Sequence, residues 1–308
     1  MAIFSPTVLE HAANLIGKTP SEVAQNMELL VKSHVKAYKM YQHIITVGMD
    51  IYNVEAEALG CTVRFYNDSS IPGIINRPKV VPNMNFSKEK GRIKLLLNAA
   101  AKIKAETDGI VNVGICGPFS ILVELLGFEV AIERFFDEDD KLHILLENLL
   151  EFQKDYCKEI SDLGLGATVF ESWASPPLIS PHIYRTYALP YEKLLFLHMK
   201  ELGFTASPLV IGGDTRSIVD DILESGTTVL VSDYNTPLDL YVKKARNRNI
   251  TVRANIDPKQ ILNGDWEQIT KRLNEIKAVE YSKIIVGSGV VPYDTPPENL
   301  LKVRDMNT

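Results

Sequence analysis

A chain of 308 residues with 45% hydrophobic and 23% charged side chains has an ordinary globular composition, and its net charge of −6 argues against a nucleic-acid binder, which would show a basic face. The length suits one α/β barrel with insertions, roughly 250 residues being usual; a core of that size needs no disulfides, and Cys61, Cys116 and Cys157 read as reduced thiols of a cytoplasmic protein. No run approaches the ~20 apolar residues of a membrane span, and the opening MAIFSPTVLEHAANLIG lacks both the basic start and the long apolar run of a signal peptide.

In chain order, a helical N-terminal segment comes first. Within it, Thr19-Pro20-Ser21-Glu22 marks a helix start, with Thr as cap, Pro in the first position and the acid answering three residues on. A first short apolar strand is expected over 43–50. Residues 61–66 are strand-like too, either as an eighth barrel strand or as part of a hairpin over the barrel mouth. The loop excursion near 61–90, with Pro72, Pro78 and Pro82, reads as an irregular lid or ligand loop. Six further strands follow at 110–116, 167–171, 208–211, 227–232, 250–255 and 283–287. Helix-period stretches separate them at 137–163, 180–202, 216–225 and 266–279. Thr236-Pro237-Leu238-Asp239 and Thr295-Pro296-Pro297-Glu298 repeat the Thr-Pro start, and Gly164, Gly203 and Gly226 stand where helices end. The run Lys243-Lys244-Ala245-Arg246-Asn247-Arg248 reads as a solvated last helical turn. Short buried strands alternating with helices give a parallel sheet, and we assign residues 1–308 to a single (β/α)8 TIM barrel domain of the α/β class.

Barrel chemistry sits at the carboxyl ends of the strands. Those ends carry Asp50, Asn53, Glu55 and Glu57 after the first predicted strand, then Cys116, and Glu171 with Trp173. Further on come Gly212, Gly213 and Asp214, then Asp233, Tyr234 and Asn235, then Asn255 and Asp257, and last Gly287 and Gly289. The rim is rich in Asp, Glu and Asn and holds no His. The six histidines fall in helices or before a strand and read mostly as helix-surface residues. Asp214, Asp233 and Asp257 are placed equally well to cap the helix that follows, and Glu55 and Glu57 to sit in a helix first turn. Several acids and amides on one face favour a ligand rich in N–H donors. Three or four converging zinc donors are not offered.

Five segments resemble the uroporphyrinogen-decarboxylase superfamily, and its corrinoid methyltransferase branch in particular. They are GMDIYNVEAEALG (48–60), GICGPFSILVELLG (114–127), ESWASPPLISPHIYRTYALPYEKLL (171–195), IGGDTRSIVDDILESG (211–226) and VGSGVVPYDTPPENL (286–300), together spanning most of the chain from residue 48. The Arg-rich N-terminal segment with which the decarboxylase grips propionates has no counterpart before Met40, where only Lys18, Lys32, Lys36 and Lys39 are basic. The thiol-methylating branch holds zinc through a His-x-Cys pair and a later Cys. The matching positions here are Val210, Gly212 and Gly289, so the resemblance implies no zinc. Zinc serves there to keep a thiol as thiolate; an amine acceptor needs none, and N5 of tetrahydrofolate is such a nitrogen. The resemblance thus implies a methyltransferase passing methyl from cobalamin or a methylated corrinoid protein to tetrahydrofolate in one-carbon metabolism. Asp214, Asp233, Asn235, Asn53, Gly212, Gly213 and Gly289 are then expected around the pterin. Asn255, Glu171, Glu55 and Asp50 are the candidate catalytic groups, while Phe119, Trp173 and Tyr234 stack on the pterin or pack the rim. No cobalamin-binding Asp-x-His-x-x-Gly run occurs, so the corrinoid is expected on a separate partner protein or free. A homodimer is expected from the superfamily alone. The competing readings are a decarboxylase or a corrinoid:thiol methyltransferase of the same superfamily, or a barrel that binds a corrinoid or pterin without chemistry.

Overall fold

The computed structural model describes residues 2–80 and 82–307. Ten strands are found among them: β1 (Ile3–Thr7), β2 (Ile45–Val47), β3 (Thr62–Arg64), β4 (Gly73–Asn76), β5 (Val111–Cys116), β6 (Gly166–Phe170), β7 (Leu209–Val210), β8 (Val229–Ser232), β9 (Thr251–Ile256) and β10 (Ile284–Val290). Two parallel four-stranded sheets, β1-β10-β9-β8 and β2-β5-β6-β7, share the fold. A parallel bridge from Pro208 to Val229 joins β7 to β8, and the Ile44 N–H donates to Ser5 Oγ at 3.1 Å between β1 and β2. The eight strands thus close into a (β/α)8 barrel, with helices from Met27–Tyr41 to Pro297–Met306 around it. No helix among the described residues is long and apolar enough to cross a membrane.

All seven strands expected from apolar runs are present within a few residues. The eighth is β1, inside the segment read as helical. Its ladder to β10 shifts register between Ser5 and Thr7, around Pro6, which has no N–H to donate. Residues 61–66 belong to the other reading: β3 and β4 pair antiparallel as a hairpin outside the barrel. The Thr19 capping box forms as expected, with Glu22 N–H to Thr19 Oγ1 at 3.2 Å and Thr19 N–H to Glu22 Oε2 at 2.9 Å. The other two Thr-Pro starts do not: the residues before the helices are Pro237 and Pro296, while Thr236 turns back to donate to Asp233 O at 2.7 Å.

Strand alternation divides the barrel. Outward positions such as Ile45, Val113, Ile115, Val169, Leu209, Val252 and Val286 are buried under the helices. The inward layer at mid-height comprises Ser5, Thr46, Asn112, Thr168, Val210, Val231 and Arg253, all facing an internal cavity. Barrels usually fill this layer with bulky branched side chains; here only Val210 and Val231 are of that kind, and Ser5, Thr46, Asn112, Thr168 and Arg253 leave it largely polar and open. Asn112 donates to Thr168 Oγ1 at 3.1 Å and leans over Gly166, where a Cβ would lie 2.0 Å from Asn112 Oδ1.

Candidate active site

A cavity of about 980 Å³ reaches from Ile110, Gly166 and Phe204 near the amino ends of the strands to a mouth at their carboxyl ends. Its volume is that of a small-molecule site. The mouth is built by Thr7, Glu10, Asp50, Tyr52, Phe170, Gly212, Asp233, Tyr234, Asn255, Ser288 and Gly289.

Asp50 lies on this wall but is not a free carboxylate. Arg92, just before the helix Ile93–Glu106, clamps it with two bonds of 2.8 and 2.7 Å, and Arg92 Nε also holds Glu57 at 2.6 Å. Asn53 Nδ2 donates to Asp50 Oδ2 at 3.0 Å and to Pro72 O at 2.6 Å, so it ties the loop excursion to the rim instead of facing the cavity. The guanidinium also lies 5.0 Å from the Phe65 ring. Together these contacts seat the hairpin connection on the barrel edge.

Glu55 and Glu171 stand behind the wall, not on it. Glu55 is fully buried on the helix Ile51–Ala58; its Oε1 accepts the Cys116 N–H at 2.8 Å and its Oε2 has no partner. Burial pushes its carboxyl up to about 7. Glu171, also fully buried, accepts the Ser120 N–H at 2.9 Å at the start of the helix Pro118–Leu126, whose preceding Gly117 has no side chain to cap it. A Cβ at Gly117 would strike the Glu171 carboxylate at 2.2 Å, so the glycine is what admits this cap. Burial, then the nearby Glu192 carboxyl, hold Glu171 well above the usual carboxylate range.

Asp214 and Asn235 are likewise off the cavity. Asp214 folds onto Arg216 Nε at 2.8 Å, an exposed pair that pulls its carboxyl below the usual range, and Asn235 is exposed. Gly213 has φ +75, turns outward, and donates its N–H to Asp233 Oδ2 at 2.7 Å. Asp233 itself lines the cavity, its Oδ1 accepting the Tyr234 N–H at 2.9 Å, so each oxygen keeps one lone pair free. Asn255 is buried on the wall with Oδ1 unpartnered. Gly212 and Gly289 line the mouth as expected. Of the three aromatics expected there, Phe119, Trp173 and Tyr234, only Tyr234 does; Trp173 stacks on Phe128 at 5.2 Å and donates to Glu124 Oε1 at 2.7 Å, while Phe119 stacks on Phe135 at 4.9 Å.

Two wall residues escape sequence reasoning. Glu10 follows β1, lines the cavity, and has a buried, unpartnered Oε2; burial pushes its carboxyl up to about 7. Arg253 projects inward from β9. Strand alternation around 250–255 is the signal that exposes Arg253 once the inward phase is set by Asn255. Glu10 could be found only by recognising β1. The histidine reading also changes: His11, His34 and His43 are buried, at 0%, 0% and 3% exposure, and burial pulls them down to about 4, 4 and 3. His11 meets Tyr41 OH at 2.8 Å and His34 meets Gly48 O at 3.2 Å.

Among the described residues no three His, Cys, Asp or Glu side chains converge as metal ligands. Val210, Gly212 and Gly289, where the thiol-methylating branch would carry its zinc donors, all stand on the cavity wall and offer no donor side chain, so the residues present do not fit that ion.

Residues 4–306 match the uroporphyrinogen decarboxylase (URO-D) family. The chain is similar to the methylcobamide:CoM methyltransferase MtbA of Methanosarcina mazei, 28% identical over 84% of this chain and 77% of the relative, and to MtbA of Methanosarcina acetivorans, 29% identical over the same shares. It also resembles uroporphyrinogen decarboxylase of Nostoc punctiforme, 28% identical over 54% of this chain and 46% of the relative. In fold it is similar to a solved methyltransferase from Methanosarcina mazei, with a TM-score of 0.84 at 19% identity, covering 99% of this chain and 93% of that one. The chain belongs to the uroporphyrinogen decarboxylase family.

Proposed function

We propose that this member of the uroporphyrinogen decarboxylase family is an enzyme that moves a methyl group from a methylcorrinoid to N5 of tetrahydrofolate. The observation that carries the reading is the cavity wall: Val210, Gly212 and Gly289 replace the thiol-activating donors, while Asp233 and Asn255 remain on the same wall with free acceptor capacity. A pterin presents an amino group and a ring N–H side by side, and one carboxylate accepts both. Asp233 is suited to that edge. Asn255 Oδ1, buried and unpartnered, is suited to stabilise the positive charge that grows at a methylated nitrogen. Tyr234 supplies an aromatic face beside them.

The methylcorrinoid supplies an electrophilic methyl on cobalt; the protein's part is to hold the acceptor in line and exclude water. Ile71 and Val290, 43% and 39% exposed at the mouth, offer apolar contact to a corrin face. Arrival of the corrinoid on a separate protein, a homodimeric assembly and a cytoplasmic setting belong to the same proposal.

The likeness to MtbA favours a second reading in which a thiol such as coenzyme M is the acceptor. One assay separates them. Demethylation of methylcobalamin is followed with tetrahydrofolate or with coenzyme M, with and without a chelator. Turnover with tetrahydrofolate that survives chelation supports the proposal. Turnover with the thiol alone, lost on chelation and restored by zinc, overturns it.

A further inference from the structure

The barrel interior contains a cation that no part of the proposed reaction uses. Arg253 Nη2 donates to Ser5 O at 2.6 Å and Thr7 Oγ1 at 3.0 Å, and lies 3.5 Å from Ser288 O. The Nε hydrogen and the two on Nη1 find no acceptor among the described residues. Among the described residues no carboxylate pairs with it: of the three on the cavity wall, Asp50 is clamped by Arg92, while Asp233 and Glu10 make no contact with it, and the neighbouring His43 is held neutral by burial. Lys104, the other cation on the cavity wall, sits at the far end, donating to Gly164 O. Burial alone pulls the Arg253 guanidinium down to about 10, with no opposing charge to raise it, so it stays a cation at neutral pH.

The side chain is half-buried and lines the cavity, so the charge is only partly desolvated and its free N–H groups face the open space. The surroundings are shaped to keep this charge. A Cβ on Gly287 would lie 2.6 Å from Arg253 Nε and 2.7 Å from its Cζ, so bare backbone on β10 gives the guanidinium its room. The same Cβ would lie 2.5 Å from Asn255 Oδ1, which places the arginine and the unpartnered amide over one spot.

We propose that the free N–H donors of Arg253, in the space left by Gly287, form an oxyanion subsite inside the barrel that binds a carboxylate or sulfonate group. A guanidinium with three free N–H donors suits a group with two or more equivalent oxygens, through paired charge-assisted bonds. The anion comes either from an acidic substituent of the methyl acceptor or from a free small anion. The subsite does not require tetrahydrofolate to be that acceptor.

Calorimetry of the full chain with acetate and with methanesulfonate, at ionic strength matched with chloride, tests it. Saturable binding of at least one of them is expected, weakened at least tenfold in Arg253→Met and less in Arg253→Lys. Without added anion, Arg253→Met should melt no lower than the wild type, because it removes an unpaired charge; a purely structural arginine would lower the melting temperature. Kinetics then assigns the source. If the acceptor's own acid fills the subsite, acetate competes with tetrahydrofolate, and Arg253→Met raises the KM for tetrahydrofolate more than that for 6-methyltetrahydropterin, which lacks the acidic tail. If a free anion fills it, acetate does not compete and the two acceptors respond alike. Absence of saturable anion binding by the wild type, or equal binding by Arg253→Met, overturns the proposal.

Discussion

Replacing Arg92 with Leu should be among the most damaging single changes at the rim. The Asp50 side chain is 1% exposed and that of Arg92 11%, and two bonds of 2.8 and 2.7 Å join them. Without the guanidinium, Asp50 keeps only the Asn53 amide at 3.0 Å, and Glu57 loses its 2.6 Å contact. Removing one partner of a buried pair costs roughly 3–5 kcal/mol, because the other charge is left desolvated. At roughly 2.1 cal/mol/K of unfolding entropy per residue, a 308-residue chain shifts by about 1.5 °C per kcal/mol, so the melting point should fall by roughly 5–8 °C. Asp50→Asn should cost less, since Arg92 keeps Glu57. The double variant Asp50→Asn/Arg92→Leu should be more stable than Arg92→Leu alone, giving a coupling of about 2 kcal/mol in a double-mutant cycle. Urea and thermal unfolding of the four proteins measure this. A cost below about 1 kcal/mol for Arg92→Leu, with no coupling, would refute the view that the pair is closed to solvent.

Asn255→Ala should lower kcat/KM for methyl transfer roughly 100-fold, the usual loss for a group that stabilises transition-state charge, whereas Asp214→Asn should have at least a fivefold smaller effect; steady-state kinetics compares them. Glu55 carries its proton in the fold up to about pH 7, above its unfolded range, so the stability it lends is present at low pH and lost as pH rises through 7. Glu55→Gln should remove that decline, and its stability relative to wild type should rise between pH 5 and pH 8 by roughly 3 kcal/mol, at 1.36 kcal/mol per unit, in urea titrations. Glu10 changes from neutral to anionic near pH 7 on the cavity wall, so the kcat/KM profile should show an inflection there that Glu10→Gln removes; an unchanged profile would count against a role for Glu10 in the acceptor pocket.

Most of the barrel was legible because its strands are short apolar runs cut by turns, and seven of them declare themselves that way. β1 does not: five residues interrupted by Pro6 carry too little pattern, and only pairing with β10 at the other end of the chain makes them a strand. That miss also hid Glu10. Counting acids at strand ends pointed to the face where the cavity opens but not to their orientation. Asp233, Asn255, Gly212 and Gly289 face the cavity; Glu55 and Glu171 bind backbone N–H groups behind it, and Asp214 folds onto its neighbour Arg216. Sequence spacing cannot foresee that Asp50 would be neutralised by a residue 42 positions away, because that partnership exists only once the helix beginning at Ile93 packs beside β2.

Gly212 occupies a part of the wall where an added Cβ meets nothing within 4 Å, and its backbone is one that any residue adopts. The missing donor there is thus a matter of residue choice and not of steric exclusion. On the proposed reading, acceptor preference would rest on side chains that can be exchanged without rebuilding the strands, which makes Val210 and Gly212 natural starting points for redirecting it and Gly289, with Pro258 Cγ 3.1 Å from its would-be Cβ, the position where such grafting meets resistance.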